Sequence, residues 1–185
     1  MHTATAKIAA AVIALLAAAP AGANRLNIDG WSDRQNVQLN QWVSRSSDAT
    51  RPCSESPRSM QPPQVRGARA GCRVERESGR ISQRQRSLNF VVPGARWNGT
   101  TILALRYEQD FALEERMVYH DSMSYILEAP CSKLLPHFRE WWKSRKLNTP
   151  DQTDPDGKIV IEYEAGIETL EPRGTHCEFR SEFYE

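Results

Sequence analysis

The sequence predicts an α+β fold: an antiparallel sheet of about five to seven strands with one principal amphipathic helix packed on it. Three observations predict it. From residue 71 onward, short runs alternate apolar and polar residues, the period-two pattern of strands with one solvated face. Turn dipeptides separate those runs. One segment instead places Leu134, Phe138, Trp141 and Trp142 at helical spacing.

Residues 1–23 read as a secretory signal peptide. Lys7 supplies the positive start, residues 8–19 form an apolar run, Pro20 breaks it, and Ala21-Gly22-Ala23 is a small-x-small cleavage pattern. The run is too short to cross a bilayer of about 30 Å, and no later apolar run could serve as a transmembrane segment. The Ala-rich core points to a bacterial chain and to the periplasm, with secretion as the alternative. Without these residues, 56 of the remaining 162 are hydrophobic, a small fraction for a domain that must bury a core.

Residues 24–70 form an N-terminal extension that belongs to the same domain as the core at 71–185. Within it, Ser32 followed by Gln35 resembles a capping box and favours a short helix. Val37, Leu39 and Val43 alternate with Asn36, Gln38 and Asn40, a competing strand pattern. Residues 44–70 contain four Pro, six Ser and no aromatic residue. Such a segment cannot bury enough apolar surface to offset its ordering entropy, and it reads as a long Pro/Ser-rich loop.

In the core, Cys72, Val74 and Arg76 alternate with their neighbours up to a hairpin turn at Ser78-Gly79. Leu88, Phe90 and Val92 mark the next strand, ended by Pro93-Gly94. Asn98-Gly99 is a strong turn signal before a strand bearing Leu103, Leu105 and Tyr107 on one face. Residues 115–120 and 124–129 read as two short strands around Asp121-Ser122. The helix follows. Pro136 requires its first turn to lie nearby, while Lys143, Arg145 and Lys146 complement the dipole at its end. Pro150 lies beyond it. Ile159, Ile161 and Tyr163, and then Cys177, Phe179 and Phe183, mark the last two strands.

The four cysteines, Cys53, Cys72, Cys131 and Cys177, form an even set in an exported chain, which predicts disulfides. Of three pairings, Cys53–Cys72 with Cys131–Cys177 is preferred. It staples the Pro/Ser loop and ties the start of the helix to the last strand. A reactive thiol at Cys131 is the alternative, but no Cys-x-x-Cys accompanies it.

Net charge is +1 over the whole chain, which argues against nucleic-acid binding by bulk charge. Residues 24–100 hold 13 basic residues, all Arg, against 6 acidic ones. Residues 101–185 hold 10 basic against 17 acidic. The simplest account is neutralisation of the halves within one fold. The other is a charged partner surface, with Arg58, Arg66, Arg69 and an exposed Trp142 as contact residues.

No nucleophile elbow, P-loop, dinucleotide motif or zinc helix is present. Residues 151–157 resemble a calcium loop, but with Gly157 at position 6 the first ligand would be Gln152 and the twelfth Tyr163. No cofactor or metal site is therefore expected. The functional expectation is an exported, non-enzymatic protein-binding domain, an inhibitor or immunity protein against a secreted toxin. One alternative is an envelope hydrolase using Glu/Asp with His120, His137 or His176, which requires those histidines to converge. The other is a structural envelope component, which requires an exposed apolar patch.

Overall fold

The computed structural model describes residues 28–55, 60–144, 156–164 and 166–184. Residues 1–23, read from sequence as a signal peptide, Arg58, Arg145, Lys146 and residues 151–155 lie outside the described residues. Among the described residues the fold is α+β: two helices and an antiparallel sheet of eight strands.

Helix α1 spans Asp33–Ser46, and the capping box decides its start. The Ser32 hydroxyl accepts from the Gln35 amide while Gln35 Oε1 accepts from the Ser32 amide at 3.0 Å. Two donors that the helix leaves orphaned are thereby satisfied. Helical spacing then buries Leu39, Trp42 and Val43 and leaves Val37 half-exposed. The strand-like alternation around Val37 is thus incidental.

Strand β1 (Arg66–Glu77) and β2 (Arg80–Val91) form a hairpin. Its turn residues Ser78 and Gly79 both have positive φ, 49° and 83°, which matches the right-handed twist of the flanking strands. β1 begins at Arg66, inside the segment expected to be a loop. The Pro/Ser segment is correspondingly shorter, bounded by α1 at Ser46 and by β1. A register shift between Arg66 and Arg69, with Gly67 at φ 59°, hides the start of this strand from a period-two reading.

Short β3 (Arg96–Trp97) turns through Asn98-Gly99 into β4 (Thr100–Ala112). A register shift lies between Ile102 and Ala104, so Leu103 does not continue the Leu105–Tyr107 row. β5 is one continuous strand, Met117–Leu127, not two. The turn lies earlier, at residues 113–116, where Arg116 has φ 56°. Asp121 and Ser122 sit mid-strand and point to opposite faces.

Helix α2 spans Cys131–Ser144 and places Pro136 in its second turn rather than its first. The carbonyl that Pro136 leaves without a donor is that of exposed Ser132, which water can reach. β6 (Ile159–Tyr163), β7 (Gly166–Arg173) and β8 (His176–Tyr184) complete the sheet. β7 is the strand that alternation missed, because Glu168 shares the covered face with Leu170 while Ile167 lies on the open one, so polarity does not follow the faces.

The strand order is β1-β2-β4-β5-β8-β7-β6, with β3 on β4. One row of the covered face runs in register through Phe90, Leu105, Tyr125, Phe179, Leu170 and Ile159. Both helices pack on this face. Trp42 meets Phe90 edge-on at 5.2 Å, and Phe138 meets Phe179 at 4.7 Å. Trp97 joins the two strand–helix layers through Phe138, Trp141 and Phe179. A modest apolar complement thus suffices because it is concentrated on one face.

The disulfides pair Cys53 with Cys72 and Cys131 with Cys177. The first ties the segment after α1 to β1, and buried arginines hold the same segment. Arg84 Nη1 donates to the Ala49 and Thr50 carbonyls at 3.0 and 2.9 Å, and Arg86 Nη2 to those of Pro52 and Glu55. A segment that lacks apolar anchors is therefore ordered by guanidinium–carbonyl bonds. Burial lowers the Arg86 pKa, and Arg51 and Arg84 nearby add to the shift.

Candidate interaction face

The uncovered face of the sheet holds a row-by-row array of charged side chains. Strand pairing sets its rows. One row holds Arg69, Asn89, Arg106, Ser124, Arg180 and Thr169. The next holds Gly71, Ser87, Glu108, Ser122, Glu182 and Ile167. Asp110, His120 and Tyr184 follow across three adjacent strands.

In the middle of this face the charges satisfy one another. Arg106 Nη2 lies 2.6 Å from Glu108 Oε1, and Arg180 Nη2 lies 3.8 Å from Glu108 Oε2. Arg180 Nε pairs with Glu182 Oε1 at 2.8 Å. Glu182 Oε2 accepts from Tyr184 at 2.7 Å and faces His120 Nε2 at 3.5 Å. His120 Nδ1 lies 2.7 Å from Asp110 Oδ2. The two carboxylates lift the His120 pKa to about 9 against the opposing effect of burial. His120 and Tyr184 in turn hold Glu182 down to about 2, with help from Arg180.

This geometry bears on the hydrolase alternative. An imidazole with a pKa near 9 is protonated at neutral pH and cannot accept the proton a general base must take. His137 is exposed on α2, across the sheet, and His176 lies at the opposite end of β8 from Tyr184. The three histidines do not converge. Among the described residues no cluster of His, Cys, Asp or Glu is arranged to hold a metal ion. The large exposed apolar side chains among them are Val37, Met60, Met117 and Tyr184.

The sheet edge differs from its middle. β1 carries four Arg against two Glu, and β2 three Arg with no acid. Each of β4, β5, β6, β7 and β8 carries one more acid than base, with His counted neutral. Strand order therefore sorts the charge along the sheet: a cationic hairpin at one edge, with Arg84 and Arg86 turned to the covered side, and acidic strands beyond it. Within the sheet, the basic and acidic halves of the sequence do not interleave. This departs from simple neutralisation.

Of the expected contact residues, Arg66 and Arg69 lie exposed on β1. The Arg66 guanidinium turns back to the carbonyls of Pro63 and Val65. The register shift at Gly67 brings Arg66 and Arg69, three apart in sequence, onto the same open face. Arg73 lies further along that face and reaches only exposed Glu75, at 3.3 Å. Arg73, Arg76 and Arg80 were not singled out from sequence, although the Ser78-Gly79 turn places all three on one hairpin. Trp142 is a correction. It is fully buried, and its indole N–H donates to Glu168, so it presents nothing to a partner. Trp141, the adjacent residue, is the half-buried one. Comparison with known family models, curated proteins and solved structures finds no match.

Proposed function

We propose that the chain is an exported, non-enzymatic protein-binding domain whose cationic β1–β2 edge docks an acidic partner. The observation that carries this reading is the state of β1. It is an edge strand of twelve residues, ten of them exposed, with four arginines. Elsewhere on the open face arginine is matched to carboxylate. Here cationic charge is in excess beside an edge of backbone hydrogen-bonding groups. Two disulfides suit an oxidising compartment such as the periplasm, in line with the leader-like residues 1–23. An inhibitor or immunity role against a secreted toxin fits such a domain: a small stapled scaffold that recognises by charge.

The test is capture from periplasmic extract by the wild-type domain and by R69E/R73E, each at low and high salt. A partner retained at low salt by wild type, and lost both at high salt and with the variant, supports the reading. Retention that ignores both salt and charge reversal would sink it.

A further inference from the structure

A cleft of about 430 Å³ opens between α1 and residues 60–64, on the approach to β1. Its volume falls in the range of about 300–1,000 Å³ usual for small-ligand sites. Half-buried Trp31 with exposed Met60 and Pro63 contributes its apolar surface, and Leu39 and Trp42, which also line it, are buried. The polar lining is unusual in kind: five glutamines and Arg45, with no carboxylate.

The glutamines fall into two groups. Gln35 is engaged in the capping box, and Gln61 donates to the Val65 carbonyl at 2.8 Å. Gln38, Gln41 and Gln64 are exposed and make no side-chain hydrogen bond to the described protein. On α1, Gln38, Gln41 and Arg45 fall within an arc of about 60° at 100° per residue. They form one rim, and Gln64 lies on the other wall.

Each free amide offers one acceptor and two donors without charge. That complement matches the alternating N–H and C=O groups of an extended peptide main chain. The apolar floor suits one large side chain, and Arg45 favours acidic residues beside it. The wall continues through Val65 into Arg66 and Arg69 of β1, so a segment leaving the cleft meets the cationic edge.

We infer that the α1 cleft is a peptide-recognition site for an extended acidic segment of the partner, anchored by one large apolar side chain. This rests on the protein-binding reading above and adds to it a second, apolar determinant.

The test uses three acetylated, amidated pentapeptides. The first has a central Phe between paired Glu residues, the second has Gly in place of Phe, and the third has Gln in place of every Glu. Binding to the full domain is read from side-chain amide NMR signals and Trp fluorescence. The acidic Phe peptide should bind and shift the Gln38, Gln41, Gln64 and Trp31 signals. Replacing Phe by Gly, or making Q38A/Q41A at these exposed positions, should weaken it about tenfold. Equal binding of both acidic peptides, unmoved by Q38A/Q41A, overturns the cleft inference and leaves the cationic-edge reading standing. Cleft binding of the Gln-flanked peptide as tight as the acidic one, and independent of salt, keeps the cleft site but overturns its acidic specificity and the charge-guided reading. No binding by any peptide overturns the inference. The R69E/R73E capture then decides the edge alone.

Discussion

The Trp142 indole N–H donates to Glu168 Oε2 at 2.5 Å, and neither residue has any exposed surface. A carboxylate taken out of water is costly unless hydrogen-bonded, and α2 supplies a donor from above the sheet. W142F removes that donor and part of the packing volume, so it should destabilise the domain by about 2–4 kcal/mol. W142F/E168M removes both partners and should recover part of the loss. Urea midpoints of the two variants decide the matter. A double variant weaker than W142F would contradict the pairing.

His120 couples β4, β5 and β8 through Asp110 and Glu182. Its folded pKa is raised to about 9, so the stability it contributes is fully present below the ordinary imidazole pKa near 6.5. That stability is lost as pH rises through about 9. Glu182, held down to about 2, shows the same contact from the acid side, lost as pH falls through about 2. H120Q should cost about 1–3 kcal/mol at pH 7. Thermal melts should show the wild-type advantage shrinking from about pH 6.5 upward and gone above about pH 9. A gap that persists unchanged at pH 10 would mean that the imidazolium charge contributes nothing.

The disulfides differ in exposure and in loop length. Cys53 and Cys72 are exposed, whereas Cys131 and Cys177 are buried. Mild reductant should therefore open Cys53–Cys72 first, leaving a folded domain held by Arg84 and Arg86. The sequence separations are 19 and 46. Loop closure alone puts the loss near 3 kcal/mol for C53A/C72A and near 4 kcal/mol for C131A/C177A. Mass mapping of alkylated cysteines after graded reduction checks the order, and denaturant midpoints check the ranking.

Gly166 opens β7 where a Cβ would meet the Glu182 carbonyl oxygen at 2.0 Å. Backbone cannot yield cheaply there, since Gly166 pairs across β8 with Phe183. G166A should cost at least about 2 kcal/mol. It should also loosen Tyr184 and the His120 contacts at the same end of β8. Amide exchange across residues 181–184 should rise in G166A. Unchanged protection there would place the clash elsewhere.

Local chemistry carried much of this fold into view. The Ser32–Gln35 box, the Ser78-Gly79 and Asn98-Gly99 turns and the α2 stripe each depend on residues within one or two turns of chain. What stayed hidden depends on residues far apart. The first residues of β1, Arg66 to Ala70, stay hidden because an irregularity at Gly67 breaks their alternation. β5 was split because Asp121 and Ser122 look like a turn until their opposite faces are known. Arg84 and Arg86 read as surface charge until the carbonyls of Ala49 through Glu55 are placed beside them. Trp141 and Trp142 share a helical stripe, and only Glu168, beneath the helix, tells which one is buried.

Arg69 and Arg73 allow the edge to be tested in two independent ways. Both are exposed and lie on the open side of β1. R69E/R73E should leave stability within about 0.5 kcal/mol, as exposed substitutions usually do. It should still abolish capture of an acidic partner. R69V/R73V removes charge without reversing it, and it also exposes a long, newly apolar edge. That variant should lose the partner and, unlike the glutamate variant, associate with itself at high protein concentration. Light scattering separates the two outcomes. If the valine variant stays monomeric while both variants lose the partner, the arginines serve recognition alone. If both variants keep the partner and only the valine form aggregates, the arginines merely guard an exposed edge, and the proposed docking surface is wrong.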